Sequence, residues 1–170
     1  MIVCYPLYRL SGERQPMRII SEILLTVFVL LASITSVNAD DIESYTDEIR
    51  IAFNKQGRGP IMLKIANDFA KLLPMQIDKY TVLTSTIWTG YAYSLSSEIN
   101  NTALSKLKNA GPNTVEQYGR HKHGELITGY CTDPVTRSIL NNDVTIEYDY
   151  SAENGQYLFG GTIKKHDCIK

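Results

Sequence analysis

The sequence predicts an α+β domain: an antiparallel sheet built from two β-hairpins, with helices packed on one face and one disulfide closing the fold. Three observations predict it. Apolar residues recur at helical spacing over two stretches before Pro74, strand-type residues alternate in two later segments, and the element order shows no strand–helix–strand alternation of the kind that builds a parallel sheet.

The first 39 residues read as an address rather than as fold. Ile23 to Ala32 is an uninterrupted apolar run of the length of a signal-peptide core and short for a bilayer span. Val37-Asn38-Ala39 then supplies the small-x-small pattern of a cleavage site, directly before Asp40-Asp41. Residues 1–39 are therefore expected to be an extended n-region and signal peptide, with Met17 as an alternative start, and residues 40–170 a single mature domain. No cysteine follows the apolar run, so no lipid attachment is expected there. The expected location is periplasmic or secreted.

Ile42, Tyr45, Ile49, Ala52 and Phe53 share one helical face from Asp40 to about Asn54, with acids in the first turns where the helix dipole favours them. Gly57-Arg58-Gly59-Pro60 interrupts. Pro60 suits the first turn of a second helix, whose stripe is Ile61, Ile65, Phe69, Leu72 and Leu73 until Pro74. From Met75 the composition turns to Thr, Val, Ile, Tyr and Trp. Ile87, Thr89, Tyr91, Tyr93 and Leu95 alternate with Trp88, Gly90, Ala92 and Ser94, which predicts one strand there, paired with a looser one over Met75 to Leu83.

Ala103, Leu104 and Leu107 predict a short helix ended by Gly111-Pro112. Val115, Tyr118, Leu126 and Ile127 predict another, interrupted by Gly119 and Gly124. Thr132-Asp133-Pro134 reads as a cap with Pro at the first helical position, opening a helix through Val135, Ile139 and Leu140.

Val144, Ile146, Tyr148 and Tyr150 then alternate with polar residues, Asn154-Gly155 marks a tight turn, and Tyr157, Phe159, Gly161 and Ile163 return. A two-residue turn sets Glu153 opposite Gln156. Counting outward pairs Tyr150 with Phe159, Tyr148 with Gly161, Ile146 with Ile163 and Glu147 with Thr162, so binary pattern and turn chemistry agree.

Cys4 lies in the segment expected to be removed, which leaves Cys131 and Cys168. An even thiol count in an oxidising compartment predicts a bridge between them. The mature part carries 14 Lys and Arg against 16 Asp and Glu, scattered by sign, which gives no basic patch for nucleic acid and none for a membrane surface. The membrane is expected to matter only during export.

From Tyr130-Cys131-Thr132-Asp133-Pro134 through Val144 to Tyr150, Asn154-Gly155 and Asp167-Cys168, the chain resembles a group of short exported bacterial proteins without an assigned activity. Leu73-Pro74-Met75, Ile77-Asp78 and Tyr91 to Leu95 resemble that group's upstream hairpin. The resemblance implies export, the bridge and a bacterial origin. Similar chains place Gly where this one has Asp143.

No motif here assembles a catalytic or cofactor site. There is no Gly-x-Ser-x-Gly elbow, and Gly57-Arg58-Gly59 lacks the Lys-Ser/Thr of a phosphate loop. His121, His123 and Glu125 are the one cluster of metal-ligand types. On a strand the two imidazoles would share a face and could hold Zn²⁺ for a hydrolase; on a helix they point about 200° apart. Asp78, Glu147 and Asp149 read as solvated strand charges.

Cofactors are therefore expected to be none, and the expected partner is another protein of the envelope or exterior. The leading expectation is a non-catalytic protein-binding domain of inhibitor, immunity or virulence type. An assembly component of an envelope or secretion machine and a metal-dependent hydrolase are the alternatives. The expected contact region is Gly111 to Gly129, with Tyr118, Arg120, His121 and His123 as surface candidates.

Overall fold

The computed structural model describes residues 39–111 and 113–169. The expected signal segment up to Asn38, with its apolar run, lies outside the described residues. Helix α1 (Ala39–Gln56) turns the expected stripe inward, with Ala52 buried and Ile42, Tyr45, Ile49 and Phe53 half-buried, and ends at Gly57, whose φ of 83° turns the chain into α2 (Arg58–Ala70). Ile61, Met62, Ile65, Ala66 and Phe69 are buried on α2. Leu72, expected on that stripe, falls beyond the helix end and is 42% exposed.

Five strands follow in the order β1 (Met75–Asp78), β2 (Thr81–Trp88), β3 (Ala92–Ile99), β4 (Thr145–Ala152) and β5 (Tyr157–Ile163), which is also their spatial order in one sheet. The expected strand over Ile87 to Leu95 is in fact a corner. Gly90 takes φ 97°, and the Thr89 hydroxyl both accepts from the Ala92 N–H and donates to its carbonyl, 3.1 Å each. The expected stripe is split by the turn: Thr86 pairs with Leu95 and Ile87 with Ser94, so Ile87 and Tyr91 are exposed while Tyr93 and Leu95 are buried on the inward face. The upstream hairpin is thereby a three-strand meander.

Every neighbouring pair is antiparallel except β3 and β4, which run parallel from Ala92↔Thr145 to Ile99↔Ala152. Parallel pairing needs a long crossover. Helices α3 (Asn101–Asn109), α4 (Thr114–Thr132) and α5 (Pro134–Asn141) supply it. The element string conceals this junction because three helices, not one, separate the two strands.

Inward residues of the sheet are buried: Leu83, Leu95 and Ile99 upstream, and Ile146, Tyr148, Tyr150, Ala152 and Ile163 downstream. The other face carries Ser94, Ser96, Glu98, Glu147, Asp149 and Ser151, all partly exposed, with Ser96 donating to Asp149 at 2.9 Å. One face is thus packed under helices and the other is polar.

The downstream register is the one read from the sequence, with Ile146↔Ile163, Glu147↔Thr162, Tyr148↔Gly161 and Tyr150↔Phe159. The turn differs. Ala152, not Glu153, meets Gln156, and Gly155 at φ 80° donates to the Ala152 carbonyl, so the loop has three residues. Ser151 then faces Tyr157, and the shift is taken up by a bulge at Leu158. Two irregularities cancel, and the register beyond them is restored.

Asp133 caps α5 through a 2.8 Å bond from the Thr136 N–H, and Pro134 stands at its first turn. The helix ends with Val144 N–H on the Ile139 carbonyl and Asp143 N–H on that of Leu140, a Schellman closure that puts Asp143 at φ 59°. This left-handed position suits Gly, and Asp is among the few other residues that tolerate it. Cys131, in the last turn of α4, is bonded to Cys168 in the 3₁₀ turn Lys165–Cys168 that follows β5, with Cα atoms 5.3 Å apart.

Candidate protein-binding cleft

A cleft of about 900 Å³ runs between α4 and β5. Its helical wall is Val115, Glu116, Gly119, Arg120 and His123, positions that one face of a helix brings into line. Its strand wall is Leu158, Phe159, Gly160, Gly161 and Thr162, five consecutive residues. Tyr148 of β4 forms the floor.

Close packing of rings holds that floor. Phe159 stacks on Tyr150 with centroids 4.7 Å apart and takes the edge of Tyr118 at 5.8 Å. Tyr150 meets Tyr148 edge-on at 6.1 Å, and the Tyr148 hydroxyl is hydrogen-bonded to His123 Nδ1 at 2.6 Å. Burial raises the phenols of Tyr148 and Tyr118 and pushes Tyr150 up to about 12, so these rings present no charge near neutral pH.

Glycines make room for the rings. A Cβ on Gly119 would stand 2.9 Å from Phe159 Cγ, and one on Gly161 would stand 2.7 Å from the Tyr148 hydroxyl. On Gly160 it would meet the Tyr148 carbonyl oxygen at 2.6 Å. Gly119 therefore does not break α4, as its sequence suggested; it sits where helix and strand come closest.

The candidate metal ligands His121, His123 and Glu125 do not converge. Residues 121 and 123 lie on a helix, so the imidazoles diverge: His121 is exposed and pairs with Glu125 at 3.0 Å, while His123 turns inward to Tyr148. Glu125 is also held by Lys122 at 2.8 Å. Among the described residues no three His, Cys, Asp or Glu side chains lie close enough to share an ion.

No protein-family model and no curated protein matches this chain. Solved structures do share its architecture. The pilotin EpsS of the Vibrio vulnificus type 2 secretion system superposes with a TM-score of 0.54 at 12% identity, over 78% of this chain and 99% of the pilotin. The pilotin AspS of the Vibrio cholerae type II system gives 0.52 at 15% identity, over 69% and 98%. A Pseudomonas aeruginosa protein described as secreted gives 0.53 at 12% identity, over 65% and 91%.

The domain shares the fold of these three structures. Nearly the whole length of each pilotin is matched, so the likeness covers a complete domain of theirs and not a shared hairpin.

Of the four surface candidates, Arg120 and His123 line the cleft. Tyr118 is turned under the sheet against Phe159, and His121 faces solvent on another side of α4. Two of the sequence candidates thus fall on the helical wall of the cleft, and none of them falls on its strand wall. Its trace was there: Gly160-Gly161 is an adjacent glycine pair inside an otherwise good strand, a pattern that marks close approach of another group.

Proposed function

We propose that this chain is an exported assembly component of an envelope secretion machine, and that it holds a segment of another envelope protein in the cleft between α4 and β5. The observation that carries this reading is the cleft itself, set in a domain whose fold two type II secretion pilotins share over almost their full length. The same likeness favours the assembly role over an inhibitor, immunity or virulence factor, because it brings no such protein into view. An envelope or periplasmic location and a protein partner accord with these neighbours.

The chemistry suits holding rather than turnover. The floor is aromatic and uncharged, and the rim carries one ion pair, Arg120 to Glu116, on the exposed side of α4. Uncharged aromatic centres with a polar rim are what protein docking sites use. The test is affinity capture from the envelope fraction with the purified exported protein, together with assembly of the captured machine in a strain lacking this chain. The reading expects one envelope partner whose complex fails to form in that strain. A captured partner whose assembly is unaffected would contradict it.

A further inference from the structure

We propose that the cleft takes its occupant in extended form, as a sixth strand paired to the free edge of β5, and that this occupant is an uncharged segment of a partner protein. The inference rests on the docking role proposed above and adds the conformation and chemistry of what is docked.

The first support is which residues form the wall. A groove lying on one face of a strand is lined by every second residue, since side chains alternate. Here Leu158 to Thr162 line it without a gap, so the cleft follows the strand's edge as well as its inward face. Among the described residues β5 is the last strand of the sheet, and its outer backbone N–H and C=O groups have no neighbouring strand there. An extended chain can satisfy such a row of groups; a helix, whose own backbone is already paired, cannot.

The edge also lacks the usual defences. Charges, Pro and coverage keep natural edges from pairing. Tyr157 to Ile163 contains no charged residue and no Pro, and Gly160-Gly161 leaves the backbone bare at its centre. The bulge at Leu158 is its one device, and beyond it the strand pairs regularly to Ile163. The strand wall is uncharged, the floor is neutral phenols, and the two charges of the helical wall, Arg120 and Glu116, are already paired with each other. An uncharged segment therefore suits the strand side, where a lone carboxylate or ammonium would lose water.

The docking of another envelope protein proposed above selects a partner's segment over a second copy of this chain, and edge pairing between two copies is read in the test as a dimer.

The test selects peptides from a random-sequence display library on the purified exported protein and makes the strongest binder as a capped synthetic peptide. Two further versions carry backbone N-methyl groups on alternate residues, one set odd and one even. A docked strand turns only one set of its N–H groups toward β5. One version should therefore lose about tenfold or more in affinity while the other stays within about threefold. The amides of Phe159 to Thr162 should exchange more slowly with the parent peptide bound.

A selected peptide that binds in the cleft as a helix, or loses affinity equally in both versions, overturns strand addition while leaving the docking role standing. A shift to dimer in place of peptide binding overturns the choice of occupant. Failure to select any peptide that contacts the cleft overturns the inference, and the docking role is then judged separately by the envelope capture.

Discussion

The two edges of the sheet are treated in opposite ways by the same helix. β1 has four residues, is irregular between Gln76 and Asp78, and is held from α4 by Lys122, whose ammonium lies 3.8 Å from Asp78. β5 has seven residues, carries no charge, and meets α4 at Phe159 with a cleft opening alongside that contact. Short length, irregular pairing and charge are devices that keep an edge from recruiting another strand. Their presence on β1 and near absence on β5 argue that the second edge is kept available for use.

The attachments differ too. The β1 side is tied to α4 by exposed charges, the β5 side by the Cys131–Cys168 bond, which joins the end of α4 to the turn just after β5. The bond therefore links the two walls of the cleft. Replacing both cysteines by Ser should cost about 4 kcal/mol, the chain-entropy value for a loop of this size, and should weaken partner binding more than it disturbs the β1 end. Urea melts with and without reductant, followed by hydrogen exchange of β1 and β5 amides, would check both parts.

Gly160→Ala should have the next largest effect. The new methyl meets the backbone oxygen of Tyr148, which cannot swing away, so β4 and β5 must separate locally at a cost of about 2–3 kcal/mol. Thermal unfolding measures it. Gly119→Ala should be milder. The gain in helix propensity, about 1 kcal/mol, is set against a clash with the base of the Phe159 side chain, for a net loss of about 1 kcal/mol or less. Its signature is in binding: displacement of Phe159 should lower affinity for the captured partner several-fold while the fold persists.

The smallest effect belongs to the β1 side. The hydrogen bond from Lys122 holds the Glu125 carboxyl below the ordinary glutamate value of 4.5, with burial opposing. Because the folded value is depressed, the stabilisation is present above the unfolded value and is lost as pH falls through the folded one. Burial alone would lower the Lys122 ammonium, but Glu125 outweighs it and the group is raised. Lys122→Gln should cost under about 1 kcal/mol at neutral pH, and the difference from the parent protein should vanish in acid melts.

What the sequence disclosed follows the range of the interactions that decide each element. Alternation from Val144 to Tyr150 and back through Ile163 is a local pattern, and the pairing read from it is the pairing found. Asp133-Pro134 at the start of α5 is equally local. The corner at Gly90 was hidden because every second residue from Ile87 to Leu95 is of strand type, although Ile87 and Leu95 end up on opposite faces of the sheet. The parallel join of β3 to β4 depends on where three helices return the chain, which no window of residues contains. The cleft was half legible. Arg120 and His123 stand out by residue type, whereas Gly119, Gly160 and Gly161 matter through ring contacts across the fold. The histidine pair could be read either way from its spacing, as a shared face on a strand or as divergent rings on a helix, and α4 decides for the second.

The most direct test of the cleft as a docking surface is photo-crosslinking in living cells. A photoreactive residue is placed at Leu158 in the cleft and, in a separate strain, at Ser94 on the polar face of the sheet. The account predicts one specific crosslink to an envelope protein from Leu158 and none from Ser94. A crosslink to that protein from Ser94 with none from Leu158 would contradict it.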